Sequence, residues 1–216
     1  MRGAEASKKR RGEAYYRSHA TSLLRQYEKV GFPTVHGDLL PFISNRRGTA
    51  LDVGCGSGRD AAWLAANGWS VVAVDPSREM LEGAARLHDG LGITWIEDGL
   101  PRLKSTLALG YLFDLILVSA VWMHVPGEYR NDAVGSIASL AGDRALVNLT
   151  IRSGSADPDR GFFETDLPSV ISQFQMHGFR PVAQSKDSDA FDRPGTSWER
   201  VTFEKGPLIV RDRLDV

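Results

Sequence analysis

The stretch Leu51-Asp52-Val53-Gly54-Cys55-Gly56-Ser57-Gly58-Arg59-Asp60 decides how this chain is read. It ends a short apolar run and opens a helical pattern, so three glycines fall at a strand-to-helix turn. Glycine there lets backbone approach a ligand with no Cβ in the way. The helix start beyond offers unpaired N–H groups and a partial positive charge, which suits a nucleotide or a carboxylate. The glycines are spaced G-x-G-x-G, and Arg59 stands where a dinucleotide fingerprint would place its last glycine. About 20 residues on, at the distance a ribose-binding acid takes, Val74-Asp75-Pro76-Ser77 supplies a carboxylate. Read alone, Asp75 is also a fair turn residue ahead of a capped helix.

Outward from this turn, short β-branched runs alternate with helical patterns, which predicts an α/β fold around a parallel sheet. The runs are Ala50–Val53, Trp69–Val74, Ile93–Ile96, Phe113–Val118 and Ala145–Ile151. Several are apolar almost throughout, as strands covered on both faces are. Helices are expected over Asp60–Asn67, after Ser77, over Glu128–Ala141 and over Asp166–His177, with Gly68, Gly142 and Gly178 as terminators. Ahead of the sheet, Ala14–Val30 carries Tyr16, Ala20, Leu23, Tyr27 and Val30 on one side, and a short helix is expected within Gly37–Ser44. Phe179–Ala183 and Trp198–Phe203 read as two further strands joined through Pro194-Gly195.

The bulk properties bound the function. At 216 residues the chain has the size of one large domain, and 42% hydrophobic with 25% charged residues is ordinary for a globular protein. Lys+Arg 26 against Asp+Glu 27 leaves a net charge of −1, so no global field favours nucleic acid or an anionic membrane. Residues 1–12, with the basic run Lys8-Lys9-Arg10-Arg11, read as a flexible solvated tail, and 206–216 as a C-terminal tail. One cysteine, no apolar leader and no run near ~20 apolar residues point to a cytoplasmic protein, away from the membrane. The histidines (19, 36, 88, 124, 177) lack ligand spacing, so no metal site is expected, and Cys55 reads as a small packed residue.

The motifs in order, LDVGCGSGRDA, VVAVDPS, Ile96-Glu97-Asp98-Gly99-Leu100-Pro101, and Phe113–Val118 continuing to Ser119 and Trp122-Met123-His124-Val125-Pro126, resemble those of the class I S-adenosylmethionine-dependent methyltransferases. The resemblance runs over roughly residues 13–205, the stretch it implies as the methyltransferase domain. It implies a Rossmann-like, mostly parallel seven-stranded sheet of order 3-2-1-4-5-7-6 with the last strand antiparallel, helices on both faces and an N-terminal cover helix. The variant G-S-G-R-D is similar to the branch acting on small molecules, tellurite- and thiol-type enzymes among them.

The resemblance also implies roles. S-adenosylmethionine would lie with its methionine and ribose portions along Gly54, Cys55, Gly56 and Gly58, its hydroxyls on Asp75, and its adenine against Pro76 and Met80. Asp98 would accept from the adenine amino group beside Gly99 and Leu100. Ser119 would meet the aminocarboxylate, and Asp52 the amino group. Tyr15, Tyr16 and His19 of the cover helix would close over the sulfonium or simply pack the helix down. His124 is the candidate base, with a hydrogen-bonded turn histidine as the other reading, and Tyr16 the second candidate catalytic residue. Trp122 would wall the acceptor pocket or pack in the core, and Arg152 or Arg160, flanking the polar loop from Ser153 to Asp159, would hold an acidic acceptor or lie in solvent. The expected activity is methyl transfer to a small molecule by a monomer or homodimer. An RNA- or protein-directed methyltransferase and a non-catalytic cofactor-binding module are the other readings.

Overall fold

Val53, Val74 and Val118 face one side of a sheet, and Ala50, Ala73 and Leu117 the other, all fully or almost fully buried. This period-two burial on both faces makes the sheet the middle of three layers. The computed structural model describes residues 2–154, 159–189 and 195–206. In chain order the elements are α1 (Arg2–Tyr27), α2 (Phe32–Val35), α3 (Leu40–Ile43), β1 (Thr49–Val53), α4 (Arg59–Ala66), β2 (Ser70–Asp75), α5 (Arg78–Leu87) and β3 (Thr94–Glu97). They continue with α6 (Lys104–Leu107), β4 (Phe113–Val118), α7 (Arg130–Leu140), β5 (Ala141–Ser153), α8 (Leu167–Met176), β6 (Phe179–Ser188) and β7 (Ser197–Lys205).

The strands form one sheet in the order β3-β2-β1-β4-β5-β7-β6, in which β7 runs antiparallel to both neighbours. This is the Rossmann-like order expected. On one face, α7 and α8 supply Ile137 and Phe174 to a core with Leu51, Ile116 and Val147. On the other, α3 and α4 supply Ile43 and Leu64 against Val71, Leu115 and Leu117. The edge strand β6 carries Pro181 at a register shift, a place where the missing N–H costs no central ladder bond.

Several boundaries move. The first helix starts at Arg2, so the basic run expected in a flexible tail is helical. This stretch packs against a distant loop. A Cβ on Gly12 would lie 2.7 Å from the carbonyl oxygen of Arg160, one on Gly161 would overlap that of Lys8, and the Lys8 ammonium sits 4.8 Å from the Phe163 ring centroid. The two missing side chains let helix and loop backbones touch. β5 starts at Ala141, with a register shift against β4, and not at Ala145. The short helix expected over Gly37–Ser44 is α3, and α2 and α6 have no counterpart among the expected elements. The tip of the polar loop at 155–158, Pro194 and the tail at 207–216 lie outside the described residues.

Candidate functional site

The glycine turn is tied to the end of β2 by its own backbone. Gly54 and Cys55 both donate to the Val74 carbonyl, at 2.7 and 2.9 Å. Gly56 N–H donates to Asp75 Oδ2 at 3.0 Å, and Ser77 N–H to Oδ1 at 2.8 Å. Asp75 therefore joins the turn to the start of α5, where the Ser77 hydroxyl caps the helix by accepting from Met80 N–H. Each carboxylate oxygen, having taken one N–H, keeps capacity for another donor. Burial pushes the Asp75 carboxyl up to about 6, against the opposing pull of the two N–H groups. Gly54 has φ +68°, and a Cβ there would run into the Val121 side chain.

This turn opens on a cavity of about 780 Å³ at the carboxyl ends of β1, β2, β4 and β5, where open α/β sheets bind ligands. Of the expected cofactor residues, Asp52, Gly54, Cys55, Gly56, Asp75, Pro76, Met80, Gly99, Leu100 and Ser119 line it. Asp52 is only 2% exposed, and its Oδ2 has no hydrogen-bond partner among the described residues. Burial and, next, the nearby Asp60 charge hold its carboxyl well above the usual range. Burial likewise pushes the Cys55 thiol up, which suits a packed side chain and not a nucleophile.

Three expected site residues lie elsewhere. Gly58 faces Trp95 and His88 at the start of α4, outside the cavity lining. Asp98 also stands outside it, because nearer donors occupy its oxygens: Gly99 N–H on Oδ1 at 2.8 Å, and the Thr106 N–H and hydroxyl on Oδ2 at 2.9 and 2.8 Å. Its neighbour Glu97 lines the cavity instead. Trp122 is wholly buried in the core, 5.9 Å from the Phe174 ring, and contributes no wall. After β4 the cavity is bordered by Ser119, Ala120, Val121, Met123, His124 and Val125.

The two candidate catalytic side chains meet. Tyr16 Oη lies 3.1 Å from His124 Nε2, and Phe162 packs its ring edge-on at 5.1 Å from that imidazole. Burial, and then the Arg160 charge, lower His124 to about 4, so the ring is neutral at neutral pH. Burial raises the Tyr16 phenol well above its ordinary value, so it stays protonated. The arrangement is a hydrogen bond between an uncharged phenol and an uncharged imidazole, its donor set by the imidazole tautomer. Arg152 and Arg160 both line the same end of the cavity. Arg152 donates to the Thr196 hydroxyl at 2.9 Å, and Arg160 to the Tyr15 hydroxyl at 3.3 Å.

A buried polar relay behind the turn escaped the sequence reading. Arg59 makes two bonds to Asp60, at 2.7 and 2.8 Å, while His36 Nε2 lies 3.0 Å from Asp60 Oδ2 and its Nδ1 3.0 Å from Asn148 Oδ1. Asn148 in turn donates to the Thr202 hydroxyl at 2.9 Å. The adjacent Arg59 and His36 hold the Asp60 carboxyl well below the usual range despite its burial. His36 has no local sequence signal, since its partners stand 24 and 112 positions away.

Residues 50–142 match the family model described as a methyltransferase domain. An uncharacterized Schizosaccharomyces pombe protein is 36% identical over 55 residues, a match covering 24% of this chain and only 16% of that protein. Among solved structures, magnesium protoporphyrin IX methyltransferase from Synechocystis, with bound S-adenosylmethionine, superposes with a TM-score of 0.71 at 21% identity, covering 92% of this chain and 97% of that one. The 1,6-didemethyltoxoflavin-N1-methyltransferase of Burkholderia thailandensis gives 0.71 at 19% identity, covering 94% and 90%. NodS, an N-methyltransferase of Bradyrhizobium japonicum, gives 0.62 at 17% identity, covering 79% and 85%. Residues 50–142 thus match a methyltransferase domain in sequence, and the seven-stranded sheet has the fold of these solved structures.

Proposed function

We propose that the chain transfers the methyl group of S-adenosylmethionine to a small-molecule acceptor. The observation that carries this reading is the joining of the glycine turn to the second-strand carboxylate, Gly56 N–H to Asp75 Oδ2, on the wall of one cavity. The residues present fit the cofactor. Asp75 has acceptor capacity for ribose hydroxyls, the buried unpartnered Asp52 Oδ2 suits an amino group, and Met80, Pro76 and Leu100 give an apolar surface for a purine. Absence of a Cβ at Gly54 and Gly56 lets the chain pass close to it.

When bound, the cofactor supplies a methyl group on a sulfonium whose departure leaves a neutral thioether. Such a displacement asks the protein mainly for alignment, and well-oriented systems reach effective molarities of about 10⁵–10⁸ M. The chain's own part is therefore to hold and to exclude. Tyr16 and His124 brace the cover helix over the cavity, shielding it from water. His124, neutral and bonded at Nε2, serves as a positioning residue more readily than as a base.

Titration calorimetry with S-adenosylmethionine and S-adenosylhomocysteine tests the cofactor half, with Asp75→Ala expected to weaken binding at least tenfold. A screen of metabolite extracts for S-adenosylhomocysteine release, with mass detection of the product, tests the transfer. Tight NADH binding with no affinity for either methyl-donor compound would overturn the reading.

A further inference from the structure

The end of the cavity away from the glycine turn is built by the C-terminal hairpin. In the β5–β7 ladder the Cα partners Thr150–Arg200 and Arg152–Trp198 put four side chains on one sheet face, and all four line the cavity. β6 sets Ser185 opposite Arg200 and Asp187 opposite Trp198. Arg160 comes from the loop after β5, and the Arg152 guanidinium lies 5.3 Å from the Phe162 ring centroid. Arg152, Arg160 and Arg200, from three segments, thus line the one cavity.

A carboxylate answers Arg200 only in part. Arg200, with its side chain 8% exposed, pairs with Asp187 and feels the charge of Asp38. Yet its Nε–H and the neighbouring Ser185 hydroxyl are both buried with no hydrogen-bond partner among the described residues. Of the carboxylates lining this end, Asp189 accepts from Trp198 Nε1 at 2.7 Å, and Glu13 stands across on α1. A buried donor without an acceptor costs free energy that a ligand oxygen would recover. Planar guanidinium groups suit carboxylate and phosphate oxygens above other ligands.

We propose that the methyl acceptor carries an oxyanion, a carboxylate or a phosphate, which Arg200 and Arg152 bind at the hairpin end of the cavity. The proposal rests on the methyltransferase reading above. It makes the β5–β7 wall the specificity element and leaves the glycine turn to the cofactor.

The test uses the full chain saturated with S-adenosylhomocysteine and four probes sharing one ring: 2-naphthoate, 2-naphthyl phosphate, 2-naphthamide and 2-naphthylmethylamine. At least one of the two anions should bind tenfold or more tighter than the amide and the amine, and whichever anion wins names the group. Arg200→Gln should remove most of that preference while leaving S-adenosylhomocysteine affinity within about twofold. Arg152→Gln is the second variant should the first fail to fold. Equal or tighter binding of the amide or amine would overturn the proposal, and so would an anion preference untouched by either variant or no anion binding up to the solubility limit. Loss of S-adenosylhomocysteine binding in the unaltered chain would instead overturn the methyltransferase reading.

Discussion

Tyr16 Oη and His124 Nε2 lie 3.1 Å apart across 108 positions of sequence, so a single hydrogen bond fastens the cover helix to the exit of β4. Both groups are in their uncharged forms, the phenol raised by burial and the imidazole lowered by burial to about 4. A neutral bond of this kind contributes about 0.5–1.5 kcal/mol. Tyr16→Phe keeps the ring and deletes the bond, so S-adenosylhomocysteine should dissociate about two- to tenfold faster by competition stopped-flow. An unchanged rate would mean that the helix is held by its other contacts. Because His124 is already neutral, turnover between pH 5 and 8 should show no inflection that disappears in His124→Gln.

Asp75 sets a different pH dependence. Its carboxyl is raised by burial to about 6, so ionisation in the folded chain is harder than in the unfolded one. The sign follows: above pH 6 the charged group works against folding, and that penalty is relieved as pH falls from 6 toward 4. Cofactor affinity runs the other way, because the carboxylate is the form that accepts from two hydroxyls. Affinity for S-adenosylhomocysteine should therefore drop below pH 6, by at most about tenfold per pH unit. Asp75→Asn should bind weakly with a flat pH profile, and its urea stability should lose the rise between pH 6 and 4, although its single amide oxygen can keep only one of the two accepted N–H bonds. A variant that keeps the pH-dependent affinity would remove Asp75 from the cofactor site.

What the sequence made legible follows from range. The strands were readable because both-face burial leaves near-continuous apolar runs, as at Phe113–Val118, and the glycine turn because its chemistry is packed into consecutive residues. Side-chain directions were less legible, because they are set by neighbours in space. Asp98 faces the Thr106 N–H and hydroxyl instead of the cavity, and Trp122 meets Phe174, far along the chain, in the core. The helix at Lys8 and Gly12 packs on Gly161 and Phe163, some 150 positions away, a contact that no local pattern of lysines and arginines reports.

Gly54 carries two separable constraints. Its φ of +68° disfavours any side chain, and a Cβ would meet Val121. Gly54→Ala should cost about 1–3 kcal/mol from the backbone alone, with the clash added, and should weaken cofactor binding. Adding Val121→Ala should recover the clash and leave the backbone cost, as read by urea denaturation. Full recovery in the double variant would show that φ is relaxed and carries no cost.

His36 bridges Asp60 and Asn148 at 3.0 Å each, wholly buried, and thereby couples the wall of the cofactor cavity to the middle of β5. His36→Leu keeps most of the volume and strips both bonds. Asp60 then keeps Arg59 as its ion-pair partner but loses one buried hydrogen bond, and a buried polar group left without its partner costs about 1–3 kcal/mol. The midpoint in urea should fall accordingly, and S-adenosylhomocysteine affinity should fall too, because Arg59 and Asp60 line the cavity. His36→Gln, which can still bond one partner, should recover part of both losses. A double-mutant cycle with Asn148→Ala separates the relay from simple packing. Residues sharing one network couple by about 0.5–3 kcal/mol, whereas strictly additive losses would show that His36 and Asn148 act independently.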